Sequence, residues 1–184
     1  MKRGHRRLAG GSACPTLLAV VAMGLHAQGI RMPREFPPDI AAASVTVTGL
    51  SGAMVTSAVT LTAADLGMLP QHTVKTTDHG APVTFEGVLL TDVLAKVGQP
   101  LGEKFHNTGA SYYLVAEGND GYRATFAWAE MDSTFMDKSV YVVTRRDGKL
   151  LSDKDGPFEL VAPGEKRNAR WVRQLKALTI KRAD

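Results

Sequence analysis

Short β-branched runs, each closed within a few residues by glycine, proline or an Asp-Gly pair, leave this chain little choice but a sheet-based fold. Val45-Thr46-Val47-Thr48-Gly49-Leu50 alternates as a half-buried strand should. Thr73 to Thr77 and Val83 to Phe85 read as a strand pair around His79-Gly80-Ala81-Pro82. Further strands are expected over Tyr112 to Glu117, Tyr122 to Phe126, Val140 to Thr144, Phe158 to Val161 and Leu175 to Lys181. Asp120-Gly121 and Asp147-Gly148 mark turns. Three short helices interrupt the strands. Thr62 caps one over Ala63 to Met68, stopped by Pro70; Thr91 caps one over Asp92 to Val97, closed by Gly98; a third covers Trp128 to Met131. The pattern predicts an α+β domain with mixed or antiparallel β-sheet and short inserted helices, and argues against a doubly wound one.

The N-terminal stretch has a different character. Lys2, Arg3, Arg6 and Arg7 precede an apolar run from Pro15 to Leu25, and Leu25-His26-Ala27 offers a small-residue cleavage site. The apolar run is about half of what spans a bilayer, so residues 1–27 read as a signal peptide and the mature chain as periplasmic or secreted. Arg6-Arg7 leaves the choice of Sec or twin-arginine export open. Residues 28–43, with Met32-Pro33-Arg34-Glu35-Phe36-Pro37-Pro38, read as a proline-rich tether, and residues 44–184 as one globular domain.

Cleavage would change the charge balance. Of the 22 basic residues four lie in the leader, so the remainder matches the 18 acidic ones. A near-neutral mature chain gives no electrostatic ground for nucleic acid or a membrane surface as partner. The single cysteine, Cys14, lies ahead of the apolar run and would leave with it. No disulfide is then available, and the 44% of apolar residues must supply a core.

Several chemistries lack their residues. There is no phosphate-cradling glycine loop, no cysteine pair, no His-x-x-x-His and no Gly-x-Ser-x-Gly. Beyond the leader His72, His79 and His106 are scattered; His79 stands out because Gly80 beside it permits close approach of a ligand. Glu130, Asp132 and Asp137 read as solvated carboxylates, and Asp147 and Asp155 as turn residues. The densest signal is Pro163 to Arg173, where Lys166, Arg167, Arg170 and Arg173 surround Asn168 and Trp171. Guanidinium forks and loop N–H groups suit an oxyanion, and a solvated basic turn has the same composition. Trp171 serves either as a flat packing surface or as core. Tyr122 and Arg123, beside the Asp120-Gly121 turn, are further candidates for ligand contact.

Taken in order, these segments resemble the molybdopterin-binding oxidoreductase domain of the sulfite oxidase superfamily, in its short stand-alone bacterial version. The resemblance runs from about Val45 to Ile180. It is carried by Val47-Thr48-Gly49-Leu50, Leu61-Thr62-Ala63-Ala64-Asp65-Leu66, Thr84-Phe85-Glu86-Gly87-Val88-Leu89-Leu90-Thr91-Asp92-Val93-Leu94 and Asp120-Gly121-Tyr122-Arg123-Ala124-Thr125-Phe126. Arg146-Asp147-Gly148-Lys149, Gly156-Pro157-Phe158-Glu159-Leu160-Val161 and Arg170-Trp171-Val172-Arg173 complete it.

The resemblance implies a compact mixed α+β fold and a molybdenum–pterin cofactor, with the metal on two pterin sulfurs and one protein cysteine. It implies phosphate contacts from Lys166, Arg167 and Arg170, with Trp171 packing behind them. The family's cysteine falls on the stretch Lys75-Thr76-Thr77-Asp78-His79, where this chain has no thiol. No residue is therefore assigned as a metal ligand or as catalytic, although Asp78 or His79 could ligate in a site of another kind. Two functional expectations follow. One is an exported molybdopterin-binding oxidoreductase with a periplasmic redox partner. The other is a non-catalytic binding module that keeps the fold and a basic pocket for a small anionic ligand.

Overall fold

Two sheets of five strands carry the chain, each built largely from antiparallel neighbours. The computed structural model describes residues 35–51, 54–99, 111–132 and 135–183. The leader at 1–27, the tether residues 28–34 and His106 lie outside the described residues. The first sheet runs β2 (Met54–Thr62), β1 (Ser44–Ser51), β10 (Leu175–Arg182), β5 (Tyr112–Gly118), β6 (Arg123–Ala127). Its one parallel pairing joins β1 to β10, with Val47 opposite Leu178, so the sheet is mixed. The second runs β3 (Gln71–Asp78), β4 (Ala81–Leu89), β7 (Tyr141–Arg146), β8 (Lys149–Leu150), with β9 (Glu159–Val161) also on β7. The architecture is mixed α+β, as the sequence pattern predicts.

Alternation explains which faces meet. Tyr112, Leu114 and Ala116 point inward from β5, and Ala124 and Phe126 from β6, with exposed or half-buried residues between them. These side chains join Phe85, Phe158, Leu160 and Leu178 in one buried cluster. Burying each large apolar side chain is worth about 1.5–3 kcal/mol. At Gly87 the strands β4 and β7 approach so closely that a Cβ would stand 2.2 Å from the Val142 carbonyl oxygen.

The short helices sit at strand ends. Thr62 caps α2 (Ala63–Gly67): Asp65 N–H donates to Thr62 Oγ1 at 3.2 Å, and Asp65 Oδ2 accepts from Thr62 N–H at 2.8 Å. Helix α3 (Leu90–Lys96) begins ahead of the expected Thr91 cap. The carbonyl of Val140 accepts from Leu90 N–H at 2.9 Å, so a neighbouring segment does what a capping side chain would. Helix α4 spans Trp128–Met131, as expected. The segment read as tether is not structureless at its end. Pro38–Ala41 form α1, with proline in the first turn, and Phe36 and Ala43 pack on the core. Among the described residues no helix is long and apolar enough to cross a membrane.

The two sheets are sewn together near the C-terminus. Leu160 and Val172 exchange backbone hydrogen bonds of 2.9 and 3.0 Å, and Leu175 N–H donates to Phe158 O at 2.8 Å. The loop from 162 to 171 leaves β9 in one sheet and returns beside it before entering β10 in the other. Whatever that loop carries is therefore held at the seam.

Candidate functional site

Asp78 is the bracket around which the site is built. The chain turns from β3 to β4 in two residues, His79 (φ 49°) and Gly80 (φ 85°), both in the left-handed region that such a hairpin needs. Histidine tolerates that conformation better than branched residues do, and glycine does so freely. The tight turn fixes Asp78 at the strand end, where it is nearly buried. Arg146 Nη2 approaches Asp78 Oδ2 at 2.7 Å, and Asn168 Nδ2 donates to Asp78 Oδ1 at 2.7 Å. Burial pushes the Asp78 carboxyl up, but the bonds from Arg146 and Asn168 outweigh it and hold the group below its usual range. His79 is exposed, with Nε2 3.7 Å from Asp78 Oδ1.

Asn168 belongs to the basic loop, so the Asp78 bond ties that loop to the hairpin. Three other contacts shape it. Tyr122 donates its hydroxyl to the Ala169 carbonyl, joining the loop to the turn between β5 and β6. Trp171 donates its indole N–H to Ala162 O at 3.1 Å and meets Phe85 edge to face, centroids 5.4 Å apart. Arg170 is gripped by Glu165 and by Glu130, the latter at 2.7 Å, and lies over Phe126 with its guanidinium carbon 4.6 Å from the ring centroid. Those two carboxylates raise the already high pKa of Arg170 further.

Between the hairpin tip, the 118–122 turn and this loop lies a cleft of about 640 Å³. His79, Tyr122, Lys166, Arg167 and Trp171 all line it. Lys166 and Arg167 are exposed and make no hydrogen bond or ion pair with any described residue. Trp171 is both wall and core, which unites the two readings the sequence allows. Arg123 and Arg170 are not brought to the cleft. Arg123 pairs on the outer face with Glu117 at 2.7 Å, and that carboxylate also takes Lys176 at 2.8 Å. Arg170, expected on the ligand's phosphate, is enclosed by Glu130 and Glu165, and Glu130 is a network member where the sequence suggests a solvated carboxylate.

Asp155, read as a turn residue, also pairs with Arg173 at 3.2 Å. The cleft's most unusual member is Glu159, on β9. The residue is 2% exposed, its Oε2 is buried without a hydrogen-bond partner, and it lines the cleft. Burial, and then the negative charge of Asp155, push its carboxyl up to about 7 against the opposing pull of Arg173 and Arg146. Sequence reasoning treats Phe158 to Val161 as a strand and passes over this residue. The available signal is a lone carboxylate inside Phe-Glu-Leu-Val, a run too apolar to leave a charge in water.

The donor atoms here are carboxylate oxygens, an imidazole and cationic nitrogens. Among the described residues no three His, Cys, Asp or Glu side chains gather in a way that could hold a metal ion. The stretch on which the resemblance would place a thiolate presents Thr77, Asp78 and His79 to the cleft, and Asp78 is already bound to Arg146 and Asn168. This set does not fit a molybdenum centre that needs a soft sulfur ligand. The unpaired cations do fit an oxyanion. A comparison with protein-family models finds none that matches this chain, and a search of curated proteins returns no match.

Proposed function

We propose that the chain is an exported, non-catalytic binding domain of the sulfite-oxidase type of fold, taking a small anionic ligand, such as a phosphate ester, in the cleft at the sheet seam. The reading rests on one observation above all: Lys166 and Arg167 line a cleft of about 640 Å³ and have no described partner of their own. Cations with no internal carboxylate keep their full attraction for an incoming anion. The order of segments along the chain supports the fold assignment, and the N-terminal basic and apolar stretches support export. The oxidoreductase alternative draws on the same resemblance, but the cleft offers no thiolate to carry it.

Purification of the exported protein from cells supplied with molybdate separates the two. Elemental analysis and the fluorescence of oxidised pterin are expected to find neither metal nor pterin, while a known molybdoenzyme from the same cells is loaded. Stoichiometric molybdenum and pterin would sink the binding-domain reading. Calorimetric titration with a phosphate monoester is expected to show binding that weakens as salt is added. The double variant Lys166→Ala/Arg167→Ala should lose at least about tenfold in affinity, since a charge-assisted contact is worth about 1.5–3 kcal/mol. Unchanged affinity would reduce the loop to a solvated turn.

A further inference from the structure

The charges of the cleft are unevenly arranged. Its exposed side carries the unpaired cations Lys166 and Arg167, together with Arg173 and with Asp120, whose carboxylate accepts from Tyr122 N–H at 2.9 Å, whereas its buried side carries Glu159. The nearby arginines are committed elsewhere: Arg146 to Asp78 at 2.7 Å and Arg173 to Asp155 at 3.2 Å. The Glu159 side chain has neither a hydrogen bond nor an ion pair with any described residue. Register explains how it comes to be there. β9 pairs Glu159 with Val143 of β7, and Val143 is in turn opposite Gly87 of β4, so backbone pairing fixes the residue on a short strand off the main path of the second sheet. A buried acceptor without a donor costs about 1–3 kcal/mol, so a fold has reason to avoid one that serves no partner.

We propose that Glu159 is the second recognition point of the cleft, accepting a hydrogen bond from an amino, ammonium or amidine group of the ligand whose anionic end is held by Lys166 and Arg167. The ligand class is thus bipolar: a phosphate or carboxylate at one end and an N–H donor at the other. A purely anionic ligand would satisfy the rim and leave Glu159 bare. A purely cationic one would meet two uncompensated positive charges on entering. Only a molecule carrying both groups compensates both ends, and the wall formed by Trp171 offers apolar surface to the part between them. This inference rests on the anion-binding reading given above, and it adds to that reading what the far end of the ligand must be.

A graded series of ω-aminoalkyl phosphates, each set against the alkyl phosphate of equal length, tests it by titration calorimetry on the full chain. At the best length the amino compound should bind at least about tenfold tighter than its alkyl partner. Glu159→Gln, which keeps shape and removes the charge, should erase that preference, so that amino and alkyl compounds of equal length bind it alike. Equal affinity of the two series for the unaltered protein would overturn the bipolar assignment, with no variant needed. A preference that survives Glu159→Gln would overturn the role of this residue. Failure of both series to bind would instead remove the anion-binding reading on which the inference stands.

Discussion

Asp78 and Glu159 line one cleft, yet they respond to protons in opposite ways. Asp78 is held below its usual range by Arg146 and Asn168, so its contribution to stability is present above the unfolded carboxyl pKa and is lost as pH falls through its folded value. Glu159 is raised from 4.5 to about 7 by burial and by Asp155, with Arg173 and Arg146 pulling the other way and Asp78 adding a smaller push. Between those two values the folded chain keeps a proton that the unfolded chain releases. This group's contribution is therefore full below pH 4.5 and falls away as pH rises through 7. Glu159→Gln removes that loss. Its urea midpoint should exceed that of the unaltered protein at pH 8, by at most about 3 kcal/mol in free energy, and the advantage should vanish at pH 4. An equal midpoint at pH 8 would mean that the carboxylate is better solvated than its burial implies. Arg170 should behave as a structural residue. Arg170→Ala leaves Glu130 and Glu165 without their cation, so a loss of about 1–3 kcal/mol on thermal melting is expected. Lys166→Ala, which breaks no described contact, should leave the melting temperature unchanged.

At the scale of elements, close approach and capping decide more than propensity does. Gly87→Ala should be among the most damaging single changes, since the added carbon meets backbone that cannot swing aside; a loss of more than about 2 kcal/mol is expected in chemical denaturation. Thr62→Ala should cost about 1 kcal/mol by removing one half of the α2 capping box. The elements most legible in the sequence are those with a strong local signal. Thr62 and Asp65 announce α2, and alternation announces β1, β5 and β6. Strand β2 is not anticipated, for a physical reason. It lies at the edge of its sheet with Ala58, Val59 and Thr60 exposed, so its apolar alternation is weak. The Thr91 cap fails for a different reason. The carbonyl that serves Leu90 comes from Val140, and no local pattern can announce a partner so distant in the chain.

For the whole molecule, the decisive pairing is that of β1 with β10, which closes a sheet across nearly the full length of the domain. β10 lies between β1 and β5, so truncation after Arg173 removes a central strand and should abolish cooperative unfolding in calorimetry. Such long-range pairing also implies slow folding. The site shows the same dependence on distance. That residues 163–173 are chemically dense is plain in the sequence, and Lys166, Arg167 and Trp171 are found there. That Arg170 turns away to Glu130, and that Asp78 and Glu159 converge on the cleft from separate strands, depends on tertiary contacts that spacing does not encode.

The way this loop is pinned has a practical outcome. Asn168, Ala169 and Arg170 are each tied down, and Val172 is stitched to β9, whereas Lys166 and Arg167 stand adjacent and exposed. A trypsin-like protease therefore meets a dibasic bond at the mouth of the cleft. Limited digestion becomes an occupancy gauge: a ligand seated against those two side chains should slow scission at that one bond, and the size of the protected fragment would report it without any label.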